Sequence, residues 1–577
     1  MAPLPDVSVI IRDGALQIVS PGTGSLHVKL GPSPIGVVGS IYSVTDNATL
    51  QAALGKGGPL SEAIALALAH PTVDAPAGNQ VLGVPVNPST YGTASAVVHT
   101  GPGTGTVAVA PKPGAAFLIK FVLGGATGVA TVVYSFDGGL TWSPTPVVTA
   151  ATLMVAGGTF VTMAYGAGTA VAGDIISVPV TGTTVLQSGT GSLLPTVSSA
   201  CPWDAFSVII NVISGGALGV ATFNYSLDGG NVFSPTQLIP GSGVFPVPDA
   251  GIVWTFGGTF TTGDAYTHTT TTATYTGSDL TNAWNLLVAS PVTWGFAHVV
   301  GSPASSAAGA TLLATIDGLL ATAANGFRYA SALMENPSDT DASILAAYAA
   351  AASTRVGVGA GFIATISPLN ARIQMRNVAW HAAARGSKTA PSTDIGRVKD
   401  GSLSQVPGAL ASGGKVLSRD ENATPGLDNP GRFITARSII GRQGVYLTMG
   451  RMMAPTGSDF TTWANRRVMD VAAPAFRNAA LAYVNDTVVT KADGTISDGD
   501  AKTFEAVVGR GGDSLLLQTN PPAIAAPSIV TASRTTNVLS SQSLPFTVRI
   551  QPFGYTRYIT EDIGFINPNL VAAGSRT

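Results

Sequence analysis

The chain has 577 residues and a formal net charge of -2, with only 10% of its residues charged. A length of this order holds roughly three or four domains. The near-neutral balance excludes a polyanion binder held by bulk electrostatics, and 45% hydrophobic content with so little charge excludes full disorder.

The N-terminal segment Pro5–Val19 alternates in the strand manner, with Val7, Val9 and Ile11 on one face and a turn at Asp13-Gly14. It has no basic stretch followed by an apolar core, so no secretory signal is expected. Gly31–His70 predicts a strand over Gly36–Tyr42 and an apolar helix over Leu60–Ala69, and Asn79–Ser95 is rich in turn residues.

Two near copies come next. Gly124–Pro144 reads GGATGVATVVYSFDGGLTWSP and Gly215–Pro235 reads GGALGVATFNYSLDGGNVFSP. Each is followed by a second shared signature, AVAGDIISVPV from Ala170 and FTTGDAYTHTT from Phe260. The period, about ninety residues, is that of one β-sandwich. Between Ala96 and Tyr275 the charged residues are Lys112, Lys120, Asp137, Asp174, Asp204, Asp228, Asp249 and Asp264, without Arg or Glu, whereas nearly all arginines lie after Gly326. This shift marks the middle as an insertion of two modules, 96–182 and 183–275.

From Thr276 helix and strand alternate: a helix over Ser305–Ala324, a strand over Phe327–Met334, a helix capped by Asp339 or Asp341 and running to Ala352, and a strand over Arg355–Ile366. This order predicts a mostly parallel sheet. A long loop, Asp400–Gly431, leads to strands Phe433–Ile439 and Val445–Met453. A helix over Asp459–Tyr483 comes after them, with Pro474 inside it. Asp500–Gly509 predicts another helix, Ser528–Thr535 and Leu544–Gln551 predict strands, and Tyr555–Phe565 forms a tail rich in Tyr and Ile. No apolar run of about 18 residues is free of Gly, Pro and polar breaks, so no transmembrane helix is expected.

Few residues suggest chemistry. Cys201 is the only cysteine, which excludes an intrachain disulfide framework and a thiolate metal cluster and fits a reducing assembly compartment. The six histidines show no metal-ligand spacing and no HExxH. Asp493-Gly494 resembles the back half of a calcium loop, but Val489 and Lys491 would occupy the first ligand positions, so it reads as a turn. Gly408–Lys415 is a poor Walker loop. Ser135, Asp137, Gly139 and Trp142 match the sialidase Asp-box SxDxGxTW, a structural turn that does no catalysis. The second copy replaces Thr and Trp by Val232 and Phe233. Weak glycan contact through these modules is the minor reading. No cofactor, metal or catalytic residue is expected, and the chain is not read as an enzyme. Arg466, Arg467 and Arg477 admit two readings: local helix pairing with Asp470, or a helix facing a partner subunit.

The residues after Thr276 resemble the contractile tail sheath family of phages and related injection systems. The likeness is carried by GRFITARSIIGRQGVYLTMGRMMAPTGSDF (Gly431–Phe460), by Trp463–Asp470, and by LPFTVRIQPFGYTRYITEDIGFINP (Leu544–Pro568). It extends more loosely over the first 95 residues. The resemblance implies a multidomain α+β fold: an α/β core discontinuous in sequence (20–95 and 276–425), a C-terminal domain (426–577), and two inserted Ig-like β-sandwiches. It also implies extended terminal arms, 1–19 and the last strand, that add to neighbouring subunits' sheets through Val7, Val9, Ile11, Phe546, Val548 and Ile550. Arg466, Arg467 and Arg477 would face the tube or a neighbour. Its partners would be copies of itself in a six-fold helical stack, an inner tail tube protein, and baseplate and tail terminator proteins, with no direct nucleic acid, in a virion tail assembled in a bacterial host. The competing readings are a non-contractile virion or surface-layer subunit and a secreted glycan hydrolase with accessory sandwiches.

Overall fold

A computed structural model describes residues 26–74, 80–90, 92–104, 106–111, 118–135, 142–143, 145–149, 153–154, 162–165, 168–177, 186–188, 195–199 and 202–565. The predicted N-terminal strand, with Val7, Val9 and Ile11, lies outside these residues.

The first elements are β1 (His27–Gly31), β2 (Tyr42–Val44), α1 (Asn47–Leu54), α2 (Pro59–Ala69) and β3 (Val81–Pro85). A long run of strands succeeds them. It comprises β4 (Val98–Thr100), β5 (Thr106–Pro111), β6 (Leu118–Leu123), β7 (Gly125–Ala126), β8 (Thr131–Ser135), β9 (Val147–Val148), β10 (Leu153–Met154), β11 (Thr162–Tyr165), β12 (Thr169–Ala170) and β13 (Ile175–Ser177). It continues with β14 (Leu186–Ser188), β15 (Pro195–Ser199), β16 (Ser207–Ser214), β17 (Gly216–Ala217), β18 (Thr222–Ser226), β19 (Gln237–Leu238), β20 (Val244–Pro246), β21 (Ile252–Gly257), β22 (Thr259–Phe260) and β23 (Ala265–Thr269). The chain then alternates: α3 (Gly277–Ala289), β24 (Phe296–Val299), α4 (Ser306–Asn325), β25 (Ser331–Glu335), α5 (Asp341–Ala347), β26 (Val356–Gly359), β27 (Phe362–Ile366), β28 (Ile373–Asn377) and α6 (Val378–Ser387). The C-terminal part holds β29 (Ala436–Ile439), β30 (Arg442–Leu447), α7 (Trp463–Leu481), α8 (Asp498–Leu517), β31 (Ala526–Ala532), α9 (Val538–Ser541) and β32 (Phe546–Gln551). The fold is mixed α+β.

Its centre is a six-stranded sheet in the order β2-β3-β1-β24-β25-β26. Every pairing is parallel except that of β2 with β3. β1, β3, β24 and β25 are buried at every position, as parallel strands covered on both faces must be. One face packs against α3, α4 and α5 through Leu280, Trp284, Leu313, Ile316 and Ile344. The other packs against α1, α2 and α6 through Leu54, Leu60, Ile64, Trp380 and Ala384. α2 is buried from Pro59 to Ala67 because it lies between the sheet and two other helices. Capping fixes the helix starts: Thr276 and Asp279 form a capping box on α3, and Ser305 caps α4.

The sheet draws strands from both sides of the insert, so the core is discontinuous. Sequence reasoning misplaced several edges. The expected strand Gly36–Tyr42 is mostly loop, and only Tyr42–Val44 pairs. The expected strand Arg355–Ile366 breaks at Gly361, whose φ is +96°, into β26 in the main sheet and β27 in a separate hairpin with β28. The helix expected to reach Ala352 ends at Ala347 and is capped by Thr340 rather than by an aspartate. The expected boundary at 425/426 is not a packing boundary, since one apolar cluster joins Phe296, Leu333 and Ile363 to Ile434, Leu447 and Trp463.

The insert departs further from expectation. β4 pairs with β23, and β5 with β21, although the sequence repeat divides the insert into 96–182 and 183–275. β14 pairs with β13, and β15 with β11. Strand-pair membership is thus crossed between the two sequence repeats.

Candidate functional site

The C-terminal part carries the features suited to assembly. α7 and α8 pack through Val468, Ala472, Phe476, Phe504 and Val508, and β31 and β32 lean on them through Val530, Phe546, Val548 and Ile550. β31 and β32 pair only with each other among the described residues. The outer edge of β32 therefore presents backbone donors and acceptors without a strand partner, whereas on the outer edge of β31 the Ser528 and Ala532 amides donate to Asp513 and Glu505 of α8 at 3.1 and 2.8 Å.

This corrects the expectation for Phe546, Val548 and Ile550, which the sequence places on a strand lacking a partner in its own chain. They alternate inward on β32, which β31 already pairs.

The segment beyond β32 is different in character. Residues 552–565 form no helix or strand. Tyr558, Ile559, Ile563 and Phe565 are all more than four-fifths exposed. Two tethers hold the start of this tail. Tyr555 donates to the Ser392 carbonyl at 2.8 Å, and Arg557 reaches Met449 Sδ and, at 3.9 Å, the Asp394 carboxylate. Burial raises the Asp394 pKa, partly offset by donation from the Gly396 and Gly450 amides. Burial pushes the Tyr555 hydroxyl up to about 12.

Beside these tethers, a groove of about 660 Å3 opens between the start of β24 and the helices α7 and α8. Trp294, Phe327, Tyr329, Val471, Pro474 and Leu515 line it. Its charged residues are engaged within the chain. Asp74 accepts from Thr393 and from Arg397 at 2.9 Å. Asp470 accepts from Arg466 Nε at 2.9 Å.

Arg466 and Arg467 are buried, not turned toward a partner, which corrects the partner-facing reading of these two side chains. Arg466 pairs with Asp470 one helical turn on and lies over Phe460. Arg467 donates to the Gly386 and Thr389 carbonyls at 2.9 Å and stacks on Trp463 and Phe296. Burial lowers its pKa to about 10. Their charge is satisfied locally because α7 crosses the end of the parallel sheet. Arg477 is half-buried over the Phe327 ring at 3.8 Å.

Of the Asp-box, Asp137 and Gly139 lie outside the described residues, as does the side chain of Ser135; Trp142 is half-buried. The second copy shows how the turn works. Ser226 donates to Asp228 at 2.7 Å, and the amides of Gly230 and Val232 donate back to Ser226 and Asp228 at 2.9 Å. Asp228 also accepts from the amide of Ile373 in the core at 2.9 Å. Arg376 forms a fork on Asp204, one arm at 3.0 Å, and Arg372 lies over Phe206. Sequence reasoning missed these core-to-insert contacts. The only available signal was an aspartate-bearing insert beside an arginine-bearing core.

A family model described as DUF2586, N-terminal domain, matches residues 4–451. The chain belongs to this family. No curated protein matches it. Two of the similar solved structures, both at low identity, are the following. One is a sheath tail protein from Desulfitobacterium hafniense, with 10% identity and a TM-score of 0.43, covering 95% of this chain and 100% of that one. The other is a sheath tail protein from Listeria innocua, with 12% identity and a TM-score of 0.38, covering 93% and 96%.

Proposed function

We propose that this DUF2586 chain is a structural subunit of a tail sheath, polymerising around an inner tube and joined to its neighbours by exchanged strands. The observation that carries the reading is the pairing of two features in one C-terminal region: a two-stranded sheet whose β32 edge has no strand partner among the described residues, and an apolar tail exposed just beyond it. A donated tail would satisfy the edge groups and bury Tyr558, Ile559, Ile563 and Phe565. Each such side chain contributes about 1.5–3 kcal/mol when buried. The donor is then the segment after Gln551, and β31–β32 is the acceptor. The sequence likeness at Gly431–Phe460 and Leu544–Pro568 supports the sheath class specifically.

In this reading the subunits form six-fold rings stacked on a tail tube protein, bounded by baseplate and terminator proteins. Contraction exchanges one packing of subunits for another of lower energy and drives the tube through a membrane. The two β units of the insert are Ig-like sandwiches on the outside of the particle, and glycan contact is their minor role. Catalysis and direct nucleic-acid binding are not part of the proposal.

Electron microscopy tests it. The protein is expected to form helical tubes in two states, long and narrow or short and wide. A single fixed diameter under every condition would favour a non-contractile subunit. Truncation after Arg557, which keeps both tethers, is expected to abolish tubes while leaving the monomer's melting temperature within about 2 °C, on the scale of a surface change. Tubes from the truncated chain would refute tail donation.

A further inference from the structure

The two β units are built alike strand for strand. One has a five-stranded sheet in the order β9-β8-β6-β13-β14 and a three-stranded sheet β10-β11-β15; the other has β19-β18-β16-β23-β4 and β20-β21-β5. Strands β6–β13 form the body of the first and β16–β23 the body of the second. Each body is completed by one strand pair, and the chain order is pair, body, pair, body. Yet β4–β5, just before the first body, completes the second, and β14–β15, just before the second body, completes the first.

The registers are equivalent. Ser177, Ile176 and Ile175 face Leu186, Gln187 and Ser188. Thr267, Tyr266 and Ala265 face Val98, His99 and Thr100. Ile175 and Ala265 each follow a Gly-Asp in the sequence, and Ser188 and Thr100 each precede a Gly-x-Gly (Ser188-Gly-Thr-Gly191 and Thr100-Gly-Pro-Gly103). The pairs are themselves repeats, seated at the same place in opposite units.

The seat of the first pair is specific. Gly103 donates to Asp264 at 3.1 Å, and a Cβ at Gly101 or Gly103 would collide with that carboxylate. His99 stacks on Tyr266 at 4.6 Å.

We infer that the insert is a cyclically closed array in which the first strand pair closes the last unit, so that the second unit is a base fixed to the core and residues 112–201 are a self-contained cassette within it. The physical reason is the geometry of insertion. A host domain needs both ends of an insert side by side. Pairing β4 with β23 supplies that: Ser95 donates to the Thr269 carbonyl at 2.8 Å, and Ala94 bridges Thr270. The cassette's ends also converge, since Pro111 faces Ile252 while the Trp203 amide donates to the Ala250 carbonyl at 2.9 Å. The base is the unit that Asp204 and Asp228 bind to the core.

Engineered cross-links in the full chain test this, in a Cys201→Ser background. Direct partners in an antiparallel pair lie within disulfide reach. Val98→Cys with Thr267→Cys is expected to oxidise to a cross-linked monomer, and Leu186→Cys with Thr267→Cys is expected to stay reduced. The reverse pattern, which is what uncrossed tandem modules would give, overturns the inference. So does a Val98–Thr267 cross-link that joins two copies. A deletion gives a second readout. Removing 112–201 and linking Pro111 to Pro202 through a short glycine linker is expected to leave a soluble chain with a cooperative melt, whereas removing 96–182 is expected to give an unfolded or aggregated insert. A folded Δ96–182 chain with an insoluble Δ112–201 chain would show that each pair closes its own following body.

Discussion

Lys29 illustrates what burial does to a single residue. It sits on β1 in the middle of the parallel sheet, fully buried, with Nζ 2.9 Å from His298 Nδ1. Desolvation lowers its pKa from 10.5 to about 7, partly opposed by Glu335. The unfolded chain therefore holds a proton between about pH 7 and 10.5 that the folded chain lacks, and stability from this group rises with pH across that window. His70 and His381 are lowered, by burial first, to about 4 and about 3. Their sign is the same below 6.5, so acidification from pH 6.5 toward 4 costs stability. Calorimetry is expected to show the melting temperature falling over that acidic range. Lys29→Met is expected to raise stability at pH 7 by about 1–3 kcal/mol and to flatten the rise between pH 7 and 10. No spacing rule marked these histidines as a buried group, because His70 at the end of α2 and His381 on α6 come together from distant segments.

At the scale of elements, periodicity identified the long helices and the two C-terminal strands. Leu60–Ala69, Ser305–Ala324 and Asp459–Tyr483 were legible because their apolar residues recur at helical spacing over several turns. The short buried strands β1, β3 and β24 were not, since four or five apolar residues look alike in a buried strand and in a helix. Close helix crossing was equally hidden. Gly512 on α8 lies against the Phe476 ring of α7, with no room for a Cβ. Gly512→Val is expected to cost about 1–3 kcal/mol by overpacking. A urea titration reads this as a lower midpoint, while Gly499→Val, at an open position on the same helix, is expected to lose less than about 1 kcal/mol.

Over the whole molecule, the insert is held as well as tethered. Arg376, its side chain 12% exposed, joins the buried Asp204 of the second β unit to the core and lies over the Trp380 ring. Removing one partner of a buried pair leaves the other charge uncompensated, at a cost of about 3–5 kcal/mol. Arg376→Ala is therefore expected to loosen the insert while the sheet stays folded. Limited proteolysis would report it as faster cleavage near the two linkers, 86–95 and 270–276. Cleavage rates equal to those of the unaltered chain would mean that the apolar contacts alone hold the unit.

The sequence by itself determined the repeat, its position within another domain, the alternation of helix and strand after Thr276, and the resemblance at Gly431–Phe460. These are local patterns, fixed by turn chemistry, periodicity and composition. Tertiary structure alone decided which strand pair closes which β unit, and that Arg466 and Arg467 are buried. It also decided that β32 has a partner while the tail beyond it pairs with no strand among the described residues. Each of these depends on which distant segment arrives beside a given edge or face. A strand's own residues state that it needs a partner, and only the path of the rest of the chain selects one.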